Sequence, residues 1–337
     1  MKEKFGTLPN GEITSLYTIS CGQLSAKVAD LGATLVSLWV PDRNGVASDV
    51  VLGFDEPAPY LASSAFLGAT VGRNANRVHN ACFVLNRTTH SMQPNEGSNN
   101  LHSGPDYYKD RLWQVISHTQ NSIVLALDSP NGDQGFPGNA HIQVTYTMDP
   151  DGIRVTYDAI CDRDTVFNFT NHSYFNLCGH DHPEKAMEQL LCMPARFFNP
   201  DDAASIPTGE MRSVDGTPMD FRIPKKLGQD IHADYEPLRL QMGYDHNFEV
   251  FCNPCAILSD PESGREMAVY TDCPGVQLYS ANYTNEVGKG GVRYPMRSGL
   301  CLETQFYPDS VNHPEWPQPF TEAGKKYHSE TKYRFSW

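Results

Sequence analysis

Residues 141–148, "HIQVTYTM", alternate without interruption. Ile142, Val144, Tyr146 and Met148 fall on one side, and His141, Gln143, Thr145 and Thr147 on the other. A period of two predicts a β-strand with one buried face. After the turn "DPDG" (149–152), "GIRVTYDA" repeats the pattern with Ile153, Val155, Tyr157 and Ala159, so the two runs predict a hairpin. "SIVLALDS" (122–129) is more continuously apolar, which predicts a strand covered on both faces. Further strands are expected within 12–19, 24–41, 81–92, 266–271 and 275–283. Strands separated by turn signals at this spacing predict an all-β fold, an antiparallel β-sandwich or barrel with few short helices. The best helical stretch is "HPEKAMEQLL" (182–191). No Gly-rich loop leads from a strand into a helix, so a nucleotide-binding α/β fold is not expected. Neither a linker nor an internal repeat interrupts the pattern, which predicts one domain over residues 1–337.

Three strands set an apolar face against an unusual polar one. "NFTNHSYFNL" (168–177) reads as a strand, and over 166–172 Phe167 and Phe169 point one way and Asn168, Thr170 and His172 the other. In "LCLETQ" (300–305), Leu300 and Leu302 oppose Cys301, Glu303 and Gln305. In "VQLYSAN", Val276 and Leu278 alternate with Gln277 and Tyr279. A solvated outer face would favour Lys, Glu and Thr, yet Lys and Arg are missing from these positions. Asn, Gln, Tyr, His and Glu suit an uncharged polyhydroxy ligand, with aromatic rings stacking on its apolar face.

The segments "GRNANRV" (72–78), "NNLHSG" (99–104), "TNHSYFNL" (170–177), "GYDHNF" (243–248) and "LETQFYPDSVNHPEWP" (302–317) resemble, in order, the signature segments of aldose 1-epimerases, the galactose mutarotases. The resemblance covers nearly the whole chain. It implies a β-sandwich with a sugar groove on one sheet, no metal and no organic cofactor. The implied reaction exchanges the α and β anomers of a free aldohexose such as galactose or glucose. A base removes the C1 hydroxyl proton while an acid protonates the ring oxygen. By resemblance Glu303 is the base and His172 the acid. His102, Asn76, Arg77, Asp245 and Gln277 are expected to bind the sugar, with Ser173 and Tyr174 as further candidates and Arg73 as an alternative to Arg77. Asn100 and Ser103 depart from the family's N-H-L-H-G-G, which puts the geometry of that loop in question.

Charge narrows the rivals. Twenty-six basic residues against forty acidic ones give a net charge of −14. That disfavours nucleic acid, an anionic membrane and phosphorylated sugars as partners. A hexose-6-phosphate 1-epimerase would need a basic cluster. A disaccharide 1-epimerase stays open. A non-catalytic carbohydrate-binding protein would be expected to lack Glu303 or His172. A two-carboxylate glycoside hydrolase would need a carboxylic acid where His172 stands. The nine cysteines have no framework of spacings, and Cys252 and Cys255 form a single C-x-x-C. With no apolar run of signal-peptide or membrane-span length, these features predict reduced thiols in a cytoplasmic protein. A monomer or homodimer is expected, though no sequence feature chooses between them.

Overall fold

The alternating runs at 141–148 and 152–159 become neighbouring strands, Ala140–Asp149 and Gly152–Cys161, in a computed structural model that describes residues 1–337. Asp149 pairs with Gly152, so the hairpin closes over Pro150 and Asp151 alone. Gly152 lets the next strand approach: a Cβ there would lie 2.2 Å from the Tyr333 carbonyl oxygen. This hairpin sits in a nine-stranded sheet whose longest member, Lys326–Ser336, runs beside Gly152–Cys161. All eight predicted inward residues of the hairpin, Ile142 to Ala159, are buried in the main core. At roughly 1.5–3 kcal/mol for each large apolar side chain removed from water, this face is a main source of stability.

A second sheet covers that core. It orders the strands Arg212–Ser213, Phe197–Phe198, Asp245–Glu249, Gly275–Tyr279 and Cys301–Gln305. Val276, Leu278, Leu300 and Leu302 point into the core shared with the nine-stranded sheet. The Tyr333 hydroxyl donates to the Leu302 carbonyl across the layers. A third sheet, from Lys2–Thr7 to Ala47–Asp49, forms a meander at the N-terminal side. Every pairing within these three sheets is antiparallel. The all-β antiparallel class read from periodicity is therefore observed, and of sandwich and barrel the layered sheets give the sandwich that the family resemblance implied.

Local departures have local causes. The stretch 122–129 is covered mainly on one face: Ile123 and Leu125 are buried and Leu127 packs against the core, whereas on the other face Ala126 is buried, Val124 is half-buried and Asp128 is exposed. Its sheet is antiparallel, and the outer face meets solvent. Residues 182–191 hold one 3₁₀ segment, Pro183–Glu188, followed by the strand Leu190–Cys192. Pro183 can open a helix, but the leucines that follow pair with Ala256–Ser259. The α-helices are Pro57–Ala62 and Glu236–Gln241, and no helix is long and apolar enough to cross a membrane.

The segment 168–177 is mostly not a strand. Only Thr170–Asn171 forms a strand, with Thr70–Val71, while Asn168 and Phe175 make isolated bridges. The rest threads between other segments. His172 N–H donates to Ala69, Gly68 N–H donates to the His172 carbonyl, and Phe175 exchanges bonds with Leu300. Side-chain alternation survives. Phe167 and Phe169 are fully buried in the core, and the polar residues point the other way.

Candidate active site

Register builds the floor of the site. Asp245, Tyr279 and Cys301 stand side by side across three strands, and Asn247, Gln277 and Glu303 form the next row. These residues share the face opposite to Leu278 and Leu302. Over this face opens a groove of about 300 Å³. Asn76, Arg77, His102, His172, Tyr174, Asp245 and Glu303, all expected from sequence, line it.

His172 and Glu303 face one another with Nε2 3.7 Å from Oε2. Both side chains are more than nine-tenths buried, and Oε2 has no hydrogen-bond partner. Burial disfavours the charged form of each. It pushes the Glu303 carboxyl well above its ordinary range; Asp245 pushes it further and Arg77 opposes both. Burial likewise lowers His172 to about 4. The His172 ring is held by neighbours. Tyr174 lies near-parallel to it at 5.2 Å, Phe66 at 5.8 Å, and His102 and Tyr279 stand edge-on.

His102 is fixed as a neutral donor. Its Nδ1 accepts from the Asn76 backbone N–H at 3.1 Å, which leaves the ring proton on Nε2. Burial, His172 and Arg77 together hold its pKa well below the ordinary value. The two motif departures serve the same loop. Asn100 donates to the carbonyls of Gln93 and Gly104, both at 2.8 Å, and Ser103 exchanges bonds with the Asn74 backbone. Both His102 and Ser103 adopt left-handed backbone conformations, at φ 54° and 59°. Asn100 and Ser103 thus pin the turn that presents His102.

The guanidinium of Arg77 is largely committed. It binds Glu96 through two bonds, 2.7 and 3.0 Å, and its remaining Nη1 lies 3.9 Å from Asp245. Asp245 accepts from Gln277 Nε2 at 2.7 Å. Its carboxyl is raised by burial, against which Arg77 and Gln277 work. Four carboxylates, those of Glu96, Asp245, Glu286 and Glu303, line the groove with one guanidinium.

Three candidates stand elsewhere. Gln277 lies behind Asp245, outside the groove lining. Ser173 is buried and donates to Asn171 Oδ1 at 2.5 Å. Arg73 is fully buried; its guanidinium binds Ser129, Pro137, Gly138 and Thr165 and is a structural tie. Asn168 and Thr170 also fail to reach the groove. Asn168 accepts from the Phe306 N–H and donates toward Asn74 and Ala75, knitting loops together. Sequence reasoning missed Phe66, Glu96, Tyr283 and Glu286, which line the groove, and gave Tyr279 a face but no role. Tyr279 carried a signal, since it alternates in phase with Gln277. Phe66 and Glu96 lie on loops, where no periodicity marks them.

The family model described as "Aldose 1-epimerase" matches residues 15–334. The chain is 39% identical to the galactose mutarotase of Bos taurus, over 98% of this chain and 97% of that one. It is 36% identical to the aldose 1-epimerase of Escherichia coli K12, over 97% and 96%. Among solved structures, an aldose epimerase homologue from C. elegans superposes with a TM-score of 0.88 at 33% identity, covering 96% of this chain and 99% of that one. A galactose 1-epimerase from Lactobacillus acidophilus superposes with a TM-score of 0.87 at 27% identity, covering 100% and 98%.

Proposed function

The chain belongs to the aldose 1-epimerase family, and from that premise we propose that it interconverts the α and β anomers of free aldohexoses such as galactose and glucose. The observation that carries the mechanism is the buried, facing pair of His172 and Glu303 at the floor of an open, polar groove. Glu303 takes the C1 hydroxyl proton. The C1–O5 bond breaks with its electrons on O5, which takes the Nε2 proton of His172, and C1 becomes a carbonyl. Rotation about C1–C2 presents the other face, and closure returns both protons.

The pair shares one proton throughout. Ring opening starts from carboxylate and imidazolium and ends at carboxylic acid and neutral imidazole. Burial favours the second, uncharged state, the direction in which both pKa values are shifted. Closure to either anomer runs the same transfers backwards. Each proton transfer contributes roughly 10²–10⁴-fold to such a rate. The reaction moves no electrons to or from the sugar. Asp245, Asn76, Arg77 and His102 hold the hydroxyls, and Tyr174 and Tyr279 supply apolar ring surface. Polarimetry on freshly dissolved α-D-galactose and α-D-glucose tests the reading. Optical rotation that decays no faster than in buffer, for every free aldose tried, would refute it.

Two outcomes follow for binding. Galactose 6-phosphate meets four groove carboxylates and one committed arginine. Its kcat/KM is expected to fall at least about tenfold below that of galactose at low ionic strength, with the gap narrowing as salt is added. Equal values for both sugars would mean that the groove charge does not select. Gln277→Met deprives Asp245 of its short hydrogen bond, worth roughly 1.5–3 kcal/mol to a charged group. KM is expected to rise about tenfold with kcat nearly kept, because the bond orients a binding carboxylate and not a reacting one. A kcat loss at constant KM would place Gln277 in the chemistry instead.

A further inference from the structure

Cys301 and Glu303 lie two residues apart on one strand, so both side chains rise from the same face toward the groove. Each takes a different nitrogen of one imidazole. Glu303 Oε2 lies 3.7 Å from His172 Nε2, and Cys301 Sγ lies 3.5 Å from His172 Nδ1. Tyr174 and Phe66 hold the plane of the ring, but flat neighbours do not determine which nitrogen carries a proton. The edge contacts do.

We infer that Cys301 is a positioning residue for the proposed reaction: its sulfur accepts the Nδ1–H of His172, so that Nε2 is the nitrogen that exchanges its proton with the sugar. The inference rests on the anomer-exchange reading for its consequence, not for its geometry. When imidazolium gives up its Nε2 proton, the proton left on the buried Nδ1 edge needs an acceptor from the protein. Cys301 has no exposed surface and stands within reach. Burial, with Glu303 and Asp245 adding to it, keeps the thiol protonated, so the sulfur is a neutral and weak acceptor. That weakness has a use. A carboxylate at position 301 would also orient the ring, but it would stabilise the imidazolium and make His172 a poorer acid. A thiol sets the tautomer while leaving the acid strong.

Nitrogen NMR of histidine-labelled protein reads the tautomer directly. The neutral His172 ring of the wild type is expected in the Nδ1–H form; an Nε2–H form would overturn the proposal without any variant or any activity. Cys301→Ala is expected to give a mixture of tautomers and about a tenfold loss of kcat, with KM within twofold. Cys301→Ser, which keeps an acceptor, restores most of the rate. Cys301→Asp moves the acid limb of the pH–rate profile to higher pH. If Cys301→Ala kept the wild-type nitrogen shifts and pH profile, the sulfur would be packing only. A wild type that fails to anomerise any sugar defeats the function and leaves the tautomer result standing, so the two failures are distinguishable.

Discussion

Glu303→Gln is expected to lower kcat for galactose anomerisation by about 10²–10⁴-fold, with KM little changed. The amide keeps the shape and the hydrogen-bonding edge of the side chain but cannot accept a proton at neutral pH. The same substitution should raise the melting temperature. Glu303 titrates above its ordinary value of 4.5 when folded, so the folded chain holds that proton more tightly than the unfolded chain. Stability therefore falls as pH climbs from about 4.5 toward the folded value, and the penalty is fully present above it. Glutamine carries no such penalty, so thermal unfolding at pH 8 should show a variant more stable than the wild type by on the order of a few degrees. At pH 4 the difference should vanish. A variant that keeps full rate would remove Glu303 from the base role. A slow variant with no stability gain at high pH would mean that its carboxylate is solvated and not trapped.

The residues around this pair were only half visible in the chain, because alternation assigns a face and register assigns a neighbour. Periodicity located Glu303 through the alternation of Leu300 and Leu302 with Cys301, Glu303 and Gln305, and the sheet keeps that alternation. It also assigned Gln277 and Tyr279 to the same face, but could not tell which would be covered. Cross-strand register decides that. Tyr279 stands in the row with Asp245 and Cys301 and reaches the groove, whereas Gln277 is spent on Asp245. Register between strands thirty residues apart has no local signature.

Loop residues were harder still. His102, Asn76 and Phe66 all sit at positive φ, so their directions depend on the turns that hold them and not on any repeat. Family resemblance supplied His102 and Asn76; it did not supply Phe66 or Glu96. The polar residues of 168–177 show the opposite error. Their alternation was real, but Asn168 is spent on the Phe306, Asn74 and Ala75 backbone and side chains, and Thr170 is fully buried away from the groove. A coherent polar face does not establish a ligand. In this segment only His172 and Tyr174 combined the face with an open groove.

His172→Asn is the complementary test and should cost a similar 10²–10⁴-fold in kcat. Asparagine still offers a neutral N–H but cannot cycle a proton to the ring oxygen and back. Because acid and base act in one transfer, the losses should not add: the double variant with Glu303→Gln is expected to be about as slow as either single one. Additive losses would separate the two residues into independent roles. The wild-type pH profile of kcat/KM should be a bell belonging to the pair. Activity requires one shared proton, so it falls below about 4, where both groups are protonated, and again above the raised Glu303 value, where neither is. Stability gives an independent reading of His172. Its pKa is depressed from 6.5 to about 4 on folding, so the unfolded chain binds the proton more tightly. Its share of stability is intact above about 6.5 and is lost as pH falls toward about 4. Asparagine has no charge to desolvate, so His172→Asn should unfold less readily than the wild type at pH 5 while being nearly inactive at every pH. A variant that loses stability in acid as steeply as the wild type would assign that loss to other groups and leave His172 solvated.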